Sequence, residues 1–480
     1  MVNMTAYEKK EIKKRSDNLS DWYTDVVLKA ELADYGPVRG TMVIRPYGYA
    51  IWERVQEEFN TMIKADGVEN SYFPLFIPYS LLQKEKAHVE GFSPELALVT
   101  IGGGKELPEP LVVRPTSETI MYHMFAKWIS SWRDLPMKLN QWNSVVRWEK
   151  RTFLFLRTME FLWQEGHTAH ESESEAIEMS LKALEWYRRV HEDLLAIPVI
   201  TGIKSDAERF AGAVTTYTVE SLMPDGRALQ SATSHNLGQN FSKAFEISYQ
   251  TKESATEHVW QTSWGLSTRA MGGLFMLHGD DDGLIMPPRI APIQVVIIPI
   301  TDSSDVAAYV EEIEESLQGK GVRVKVDRRD SQSVGRKFNE WEIKGVPIRI
   351  EIGEAEQQQN MVTLVSRDDK EKIQVTRDGV EDAVVSLIDG IQDRLLQKST
   401  EHLLANTRSV ETYDEFKKIM ETTRGFIKSY WCENPECEVK IKEETKATTR
   451  ARPLDSEEST GKCIYCGKEA KHIWYFAQAY

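Results

Sequence analysis

The sequence predicts three units: an α+β half in which helices flank an antiparallel sheet, an α/β unit, and a small C-terminal α/β unit that holds every cysteine. Three observations carry this reading. Residues 147–167, RWEKRTFLFLRTMEFLWQEGH, join two apolar runs through roughly ten residues rich in Lys and Arg, the pattern of two antiparallel strands with an extended basic loop. From residue 293 apolar strand patterns alternate with helical ones, which signals an α/β unit of about 100 residues. All four cysteines follow residue 430, as Cys432-x4-Cys437 and Cys463-x2-Cys466. The boundaries this suggests are 1–290, 291–395 and 396–480.

A hydrophobic fraction of 41% and a charged fraction of 28% are ordinary for a globular chain. The longest plain apolar run, near IQVVIIPI, is too short to cross a bilayer, and the first fifteen residues alternate Lys with Glu and lack a signal core. A cytoplasmic protein without membrane contact is expected. The net charge of −15 argues against non-specific nucleic-acid binding, which needs clustered Lys and Arg, but leaves room for RNA held on a local basic patch.

Along the chain, residues 5–35 carry an apolar series (Leu19, Trp22, Tyr23, Val26, Val27, Ala30) at helical spacing. YGPVRGTMVIRPYGYA is a tight crossing punctuated by Gly and Pro. An amphipathic helix from Ala50 to about Lys64 puts Ile51, Val55, Phe59 and Ile63 on one face. It leads to SYFPLFIP, a strand that Pro74 and Pro78 confine to an edge or interface, because proline donates nothing to a ladder. Gly102, Gly103 and Gly104 lack the GK[ST] of a phosphate cradle and form a turn.

In LVVRPTSET, Pro115 followed by Thr116, Ser117 and Glu118 starts a helix. The same hydroxyl and carboxylate would also satisfy the two N–H donors of a secondary ammonium. Arg147 and Glu149, at i and i+2 on a strand, share one face. They form either a surface ion pair or a site for a ligand with both phosphate and an amine, Arg forking onto the phosphate and Glu accepting from the amine. Residues 171–197 make an acidic helix ending at Pro198, and Asp225-Gly226 marks a hairpin. Gln230, Thr233 and His235 crowd polar groups at a strand end, as loop residues or as ligand contacts. Gly265, Gly272 and Gly273 allow close approach of backbone to a neighbour. In the α/β unit the strands fall at 293–300, 322–326 and 347–352, with helices at 305–317 and 335–344. This unit is similar to the anticodon-binding domain shared by several class II synthetases, a resemblance that implies Glu342, Lys344 and Arg349 as candidates for reading guanines; singly, each is as readily a surface ion pair. Paired cysteines in a reducing compartment favour a closed tetrahedral Zn²⁺ site on Cys432, Cys437, Cys463 and Cys466 over disulfides. The aromatic end IWYFAQAY is expected to dock.

Residues 147–167 resemble motif 2 of the class II aminoacyl-tRNA synthetases, and FLRT-x-EFLWQEGH is similar to the version in prolyl-tRNA synthetases. The long helix, strand and proline resemble motif 1, which implies a homodimer. The resemblance runs from about residue 17 to 480 and is to the archaeal and eukaryotic kind. It implies a class II catalytic domain, an anticodon-binding domain and a C-terminal zinc-binding domain. The room between His167 and Gln230 implies no editing insertion. The implied partners are ATP, Mg²⁺, L-proline and tRNA(Pro). The implied ATP contacts are Arg147, Glu149, Arg157, Gln230, Thr233, Ser267, Arg269 and Arg289, the last as the motif 3 arginine after Pro287-Pro288. Arg147 and Arg289 are the expected catalytic pair. Thr116, Glu118, Arg147, Trp163, Glu165, His167 and His235 are the implied proline contacts, and Tyr480 is expected to point back towards the catalytic domain.

Two departures stand out. Phe153-Leu154 replaces the usual Arg-Pro of the motif 2 loop, and Glu354-Ala355-Glu356 replaces Pro-Arg-Asp after EIG. The first bears on the tRNA acceptor end, the second on an anticodon-side arginine. The implied activity is formation of prolyl-adenylate with release of pyrophosphate, then transfer of the prolyl group to the 3′ end of tRNA. Alanine or cysteine is expected to be misactivated, since a methylene discriminates by only about 1–3 kcal/mol.

Overall fold

The computed structural model describes residues 11–84 and 96–480. Helix α1 (Leu19–Lys29) is capped by Asn18, whose side chain accepts from the backbone N–H of Ser20 and Asp21, and it buries Trp22, Tyr23, Val26 and Val27. It is shorter than the helix expected over 5–35, because the Asn18 cap sets its start and Glu31 turns out of it with φ +62°. Residues 5–10 of that expectation lie outside the described residues. Helix α2 (Pro46–Ala65) begins earlier than its apolar pattern, since Pro46 is preorganised for a first turn. Phe76–Pro78 is an edge strand, as its prolines require, in a three-stranded sheet whose other members are Ala97–Gly102 and Lys105–Val113. Gly103 and Gly104, both at positive φ, turn between these two.

The main sheet begins with β1 (Glu69–Asn70). After α3 (Glu118–Trp128) come β2 (Met137–Val146) and β3 (Glu160–His170), the antiparallel pair that flanks the basic loop. Helix α4 (Glu173–Arg189), closed at its start by a Ser172–Glu175 capping box, is followed by strand β4 (Ile200–Ile203) and lies across β3 and strands β5 (Thr215–Leu222), β6 (Ala228–Gly238) and β7 (Trp260–Ser267). Helix α5 (Arg269–Leu277) follows β7 directly. Trp264 is buried against Phe59, Trp186 and Tyr187, and its indole fills the space over Gly166, where a Cβ would stand 2.2 Å from the ring. The neighbouring strands can therefore close only around glycine at that position.

The next unit has a five-stranded sheet. Strand β8 (Val295–Pro299) runs parallel to β9 (Val324–Val326) and β10 (Ile348–Ile352), with β11 (Met361–Ser366) and β12 (Lys372–Thr376) added antiparallel. Helices α6 (Ser304–Gly319) and α7 (Val334–Lys344) connect the parallel strands, and Val295, Ile297, Ile348 and Ile350 form a core separate from that of the first half. Helix α8 (Val380–Ala405) leads out of this unit and continues past residue 395.

The remaining chain contains β13 (Thr407–Ser409), α9 (Tyr413–Glu421), β14 (Phe426–Trp431), α10 (Pro435–Thr445), β15 (Ala447–Pro453) and β16 (His472–Gln478). It has its own apolar cluster around Phe416, Ile427, Trp431 and Phe476. Its strands nevertheless join the first sheet. Arg452 pairs with Ile203 and Pro453 with Gly202, giving one sheet of eleven strands in the order β13-β14-β16-β15-β4-β5-β6-β7-β3-β2-β1. Among the described residues no helix is long and apolar enough to cross a membrane.

Candidate active site

A cavity of about 370 Å³ opens on the face of the main sheet where β3, β6 and β7 lie side by side. The loop between β2 and β3 folds over it. The Phe153 and Arg157 backbones bond each other in both directions, and Leu154, Phe155 and Leu156 are buried, which holds Arg157 at the rim. Arg147 and Glu149 lie just past the last β2 residue, with the Arg147 N–H still bonded to the Met159 carbonyl.

The basic side of the cavity has three guanidinium groups. Arg147 donates through Nε to the Pro115 carbonyl (3.2 Å) and sits over the rings of Phe161 and Trp163. Arg269, at the first turn of α5, donates to the carbonyls of Leu156 (2.8 Å) and Gln230 (3.4 Å). Burial, then the like charges of Arg147 and Arg157, push its pKa down to about 10. Arg157 is half exposed and pairs with Glu149 at 2.8 Å. The ion pair anticipated for Glu149 thus exists, with Arg157 in place of Arg147. Ser267, whose hydroxyl accepts from the Arg269 N–H, and Gln230 and Thr233 complete this wall. Gly265 keeps the floor low: a Cβ there would meet the Trp163 ring at 3.3 Å.

The other side is a buried hydrogen-bonded cluster. Thr116 donates its hydroxyl to Glu118. Glu165, 2% exposed, accepts from five donors: the backbone and hydroxyl of Ser117, Gln141, Asn143 (2.6 Å) and His167 (3.1 Å). The other ring nitrogen of His167 meets the Tyr122 hydroxyl at 3.2 Å. Burial alone would lower the His167 pKa, but the Glu165 bond and the Glu118 and Glu165 charges outweigh it and raise it. Trp163 donates to Asn143 (2.6 Å), which orients its ring into the cavity. His235 lies between Thr216 (3.0 Å) and Thr233 (3.1 Å), and the Phe210 ring stacks on it at 4.4 Å.

Nearly all the residues singled out for ATP and proline therefore meet in one cavity. Arg289 does not. Its guanidinium donates to the Asp193 carbonyl and its N–H to Gln392, at the joint with α8, so the expectation that it is a catalytic or ATP-binding arginine is corrected. Pro287 and Pro288 steer the chain into this joint and away from the cavity, and Arg269 occupies the wall in its place. Conversely, Glu208, Phe210, Thr216 and Ser263 line the cavity without having been anticipated, and Asn143, Ser117 and Tyr122 brace it. The signal for Asn143 was available, since it stands opposite Trp163 in the β2–β3 register.

Comparison with known proteins agrees with this geometry. Residues 101–276 match the tRNA synthetase class II core domain (G, H, P, S and T), 294–387 the anticodon binding domain, and 413–480 the C-terminal domain of prolyl-tRNA synthetase. The chain is 53% identical to proline–tRNA ligase 2 of Clostridioides difficile and 52% to the proline–tRNA ligase of Natranaerobius thermophilus, covering 98% of this chain and of each relative. The chain belongs to the prolyl-tRNA synthetase family. It is an ATP-dependent proline–tRNA ligase, with no editing insertion between β3 and β6. A crystal structure of prolyl-tRNA synthetase from Cryptosporidium parvum, in complex with halofuginone and AMPPNP, superposes with a TM-score of 0.94 at 42% identity, over 98% of this chain and 100% of that one.

In this synthetase the anticodon-binding unit has a depression lined by Trp341, Glu342, Arg349, Arg367 and Lys372. Arg349 stacks on Phe338 and pairs with Glu351 (3.0 Å). Lys344 lies elsewhere: it pairs with Glu31 at 2.8 Å and sits over Tyr47, in the first unit. Its expected role in anticodon reading is corrected to a tie between units, made because the C-terminal end of α7 faces the residues around Glu31. In the tail the four cysteine sulfurs lie within 4.8 Å of one another, with Cys432 3.7 Å from both Cys437 and Cys466. The Tyr480 N–H donates to the Ala228 carbonyl, and Arg227 covers its ring at 3.8 Å, so the aromatic terminus docks on the first unit.

Proposed function

We propose that the cavity binds ATP along its arginine side and proline in its buried cluster, and that both steps of the ligase reaction take place there. The carrying observation is the convergence of Arg147, Arg157 and Arg269 on one wall, with Arg269 driven to about 10 by burial first and by its neighbours' like charges next. Cations held together at such a cost in repulsion call for a polyanion. The first turn of α5 adds N–H groups of the same sign. Glu149 would release Arg157 to the phosphates and accept from the adenine amine. Ser267, Gln230 and Thr233 would frame the nucleotide.

Thr116 gives its own proton to Glu118, so its oxygen keeps lone pairs for one N–H of the proline ammonium while Glu118 takes the other. Trp163 and His235, with Phe210 stacked on it, would bound the pyrrolidine ring, and Glu165 and His167 brace that wall from behind. The proline carboxylate, already anionic, attacks the α-phosphorus. The bond to the β-phosphate oxygen breaks and pyrophosphate leaves, with Arg147 and Arg269 neutralising the charge that builds up. The 3′-hydroxyl of tRNA then attacks the adenylate carbonyl and AMP departs.

Mg²⁺ would ride on the phosphates and supply further charge neutralisation. The wall offers it Glu149 and otherwise arginines, which suits an ion that keeps water and phosphate ligands. Cys432, Cys437, Cys463 and Cys466 fit Zn²⁺: sulfurs 2.3 Å from a tetrahedral centre are about 3.8 Å apart, close to the spacing here. Its role would be structural. Exposed Tyr35, Val38, Val43, Tyr72 and Phe76 around α2 support a homodimer through that face, and Glu342 and Arg349 are offered for the anticodon of tRNA(Pro). The cytoplasm is the compartment we propose.

Proline-dependent ATP–pyrophosphate exchange tests this. Arg147→Ala should abolish exchange while the dimer persists, and alanine should support exchange within about 1–3 kcal/mol per methylene of proline. Retained exchange in Arg147→Ala, or alanine rejected far beyond that range, would contradict the assignment.

A further inference from the structure

The turn that carries Glu208 and Phe210 to the cavity is fastened to the C-terminal unit by two buried clusters. In one, Glu220 on β5 takes Lys204 on one oxygen (2.9 Å) and Arg450 of β15 on the other (2.8 Å), all three nearly free of solvent. Burial raises the Glu220 pKa, yet Arg450 and Lys204 together outweigh it and lower it, so the carboxylate stays charged. In the other, Glu438 on α10 accepts from the hydroxyls of Ser205 (2.8 Å) and Thr449, which stand 3.0 Å apart. Ser205 also receives the Glu208 N–H on its carbonyl and hydroxyl. Further along, the Phe210 N–H donates to Thr216 (3.0 Å), the hydroxyl that touches His235. From Glu438 the hydrogen bonds thus run through Ser205 to the Glu208 backbone, two residues before Phe210, whose own N–H is held on Thr216. The Arg452–Ile203 pairing, one residue before Lys204, anchors its base.

We propose that Ser205 and Glu438 are positioning residues through which the C-terminal unit sets the Phe210 wall of the proline site. This rests on the reading that Phe210 bounds the proline ring. On the arginine side, Arg147 and Arg269 donate to carbonyls of residues 115, 156 and 230 in the first unit itself, and the C-terminal unit reaches Arg269 through the like charge of Arg450, a residue held by Glu220 in the other cluster. Loosening the tie should therefore weaken proline and spare ATP.

The test is pyrophosphate exchange by the full chain at varied proline and varied ATP. Ser205→Ala should raise the KM for proline about fivefold, the order expected for one hydrogen bond, and leave the KM for ATP within twofold. Ser205→Thr, which keeps the hydroxyl, should restore it. Glu438→Ala should give the same proline-specific shift, and the double variant should be no worse than either single, since both cut one path. Thr449→Val, which leaves every charge in place, carries the test if Glu438→Ala fails to fold. An unchanged proline KM in Ser205→Ala at an unchanged melting temperature overturns the proposal, as does a rise in both KM values together. Phe210→Ala separates the two readings. If it raises the proline KM while Ser205→Ala does not, the coupling alone fails; if it too leaves proline unmoved, the placement of proline fails.

Discussion

Glu165 and Arg269 line the same cavity, and their surroundings treat them in opposite ways. Glu165 is met by five donors, so its capacity is filled before any substrate arrives. Arg269 is set beside two other guanidinium groups and finds mainly carbonyl oxygens to bond. The filled region supplies shape: it fixes a wall whose form does not depend on the ligand. The crowded region supplies electrostatic demand, which only an incoming polyanion relieves. A site that holds one ligand by fit and another by charge should lose different things when each region is damaged.

Breaking the filled region should do most harm to the fold. Glu165→Gln puts an amide N–H against donors and removes the buried carboxylate they share, which costs about 3–5 kcal/mol at about 1–3 for each donor left unpaired, to be read as a lower urea midpoint. An unchanged midpoint would mean the cluster is not pre-set. Next comes the crowded region, where Arg269→Ala should cost about 2.7–4 kcal/mol in the transition state, seen as a 10²–10³-fold loss of exchange. Its melting temperature should hold or rise because repulsion is relieved. A fall would show that Arg269 acts as a structural cation.

The pH dependence sharpens the same contrast. The His167 pKa is raised in the fold, so its contribution is fully present below the unfolded value near 6.5 and is lost as pH rises through the folded value. The stability gap between the native chain and His167→Gln should therefore shrink on the alkaline side. His170, His191 and His278, each pushed by burial to about 4, titrate on the acid side and cancel in that difference. A gap that widened with pH would reverse the assigned sign. The smallest effect is expected from Arg289→Ala, with exchange within about twofold of the parent, as for an ordinary surface-side change. A hundredfold loss there would return Arg289 to the cavity.

What was legible in the sequence was whatever local spacing encodes. The β2–β3 hairpin with its basic loop, the RPTSE turn into α3 and the βαβ order after residue 293 all depend on neighbours a few residues apart. Thr116, Glu118 and Glu165 came with those segments, while Arg269 came only with the family resemblance. Phe210 was not legible, because nothing in KSDAERFAGA has a period or a motif; its place depends on Thr216, His235 and a serine tied to α10. Arg289 and Lys344 show the reverse error. Each has suggestive local company, a double proline or a helix end in a nucleic-acid-binding unit, yet each is taken up by a partner at least 96 residues away. The β15–β4 pairing was hidden for the same reason, since register between segments some 250 residues apart leaves no trace in either one.

That pairing also bears on how the chain is assembled. When a ribosome has produced β4 through β7, the rim of β4 stands bare, with its amides and carbonyls unclaimed until β15 emerges far downstream. Gly202 in that rim has no side chain to fend off a stray strand: a Cβ there would come within 2.3 Å of the Arg452 carbonyl, so the seam admits only hydrogen. The feature that makes the finished joint so close therefore leaves the nascent chain open to clumping, and slow elongation between residues 204 and 447 is where a holding chaperone would matter most.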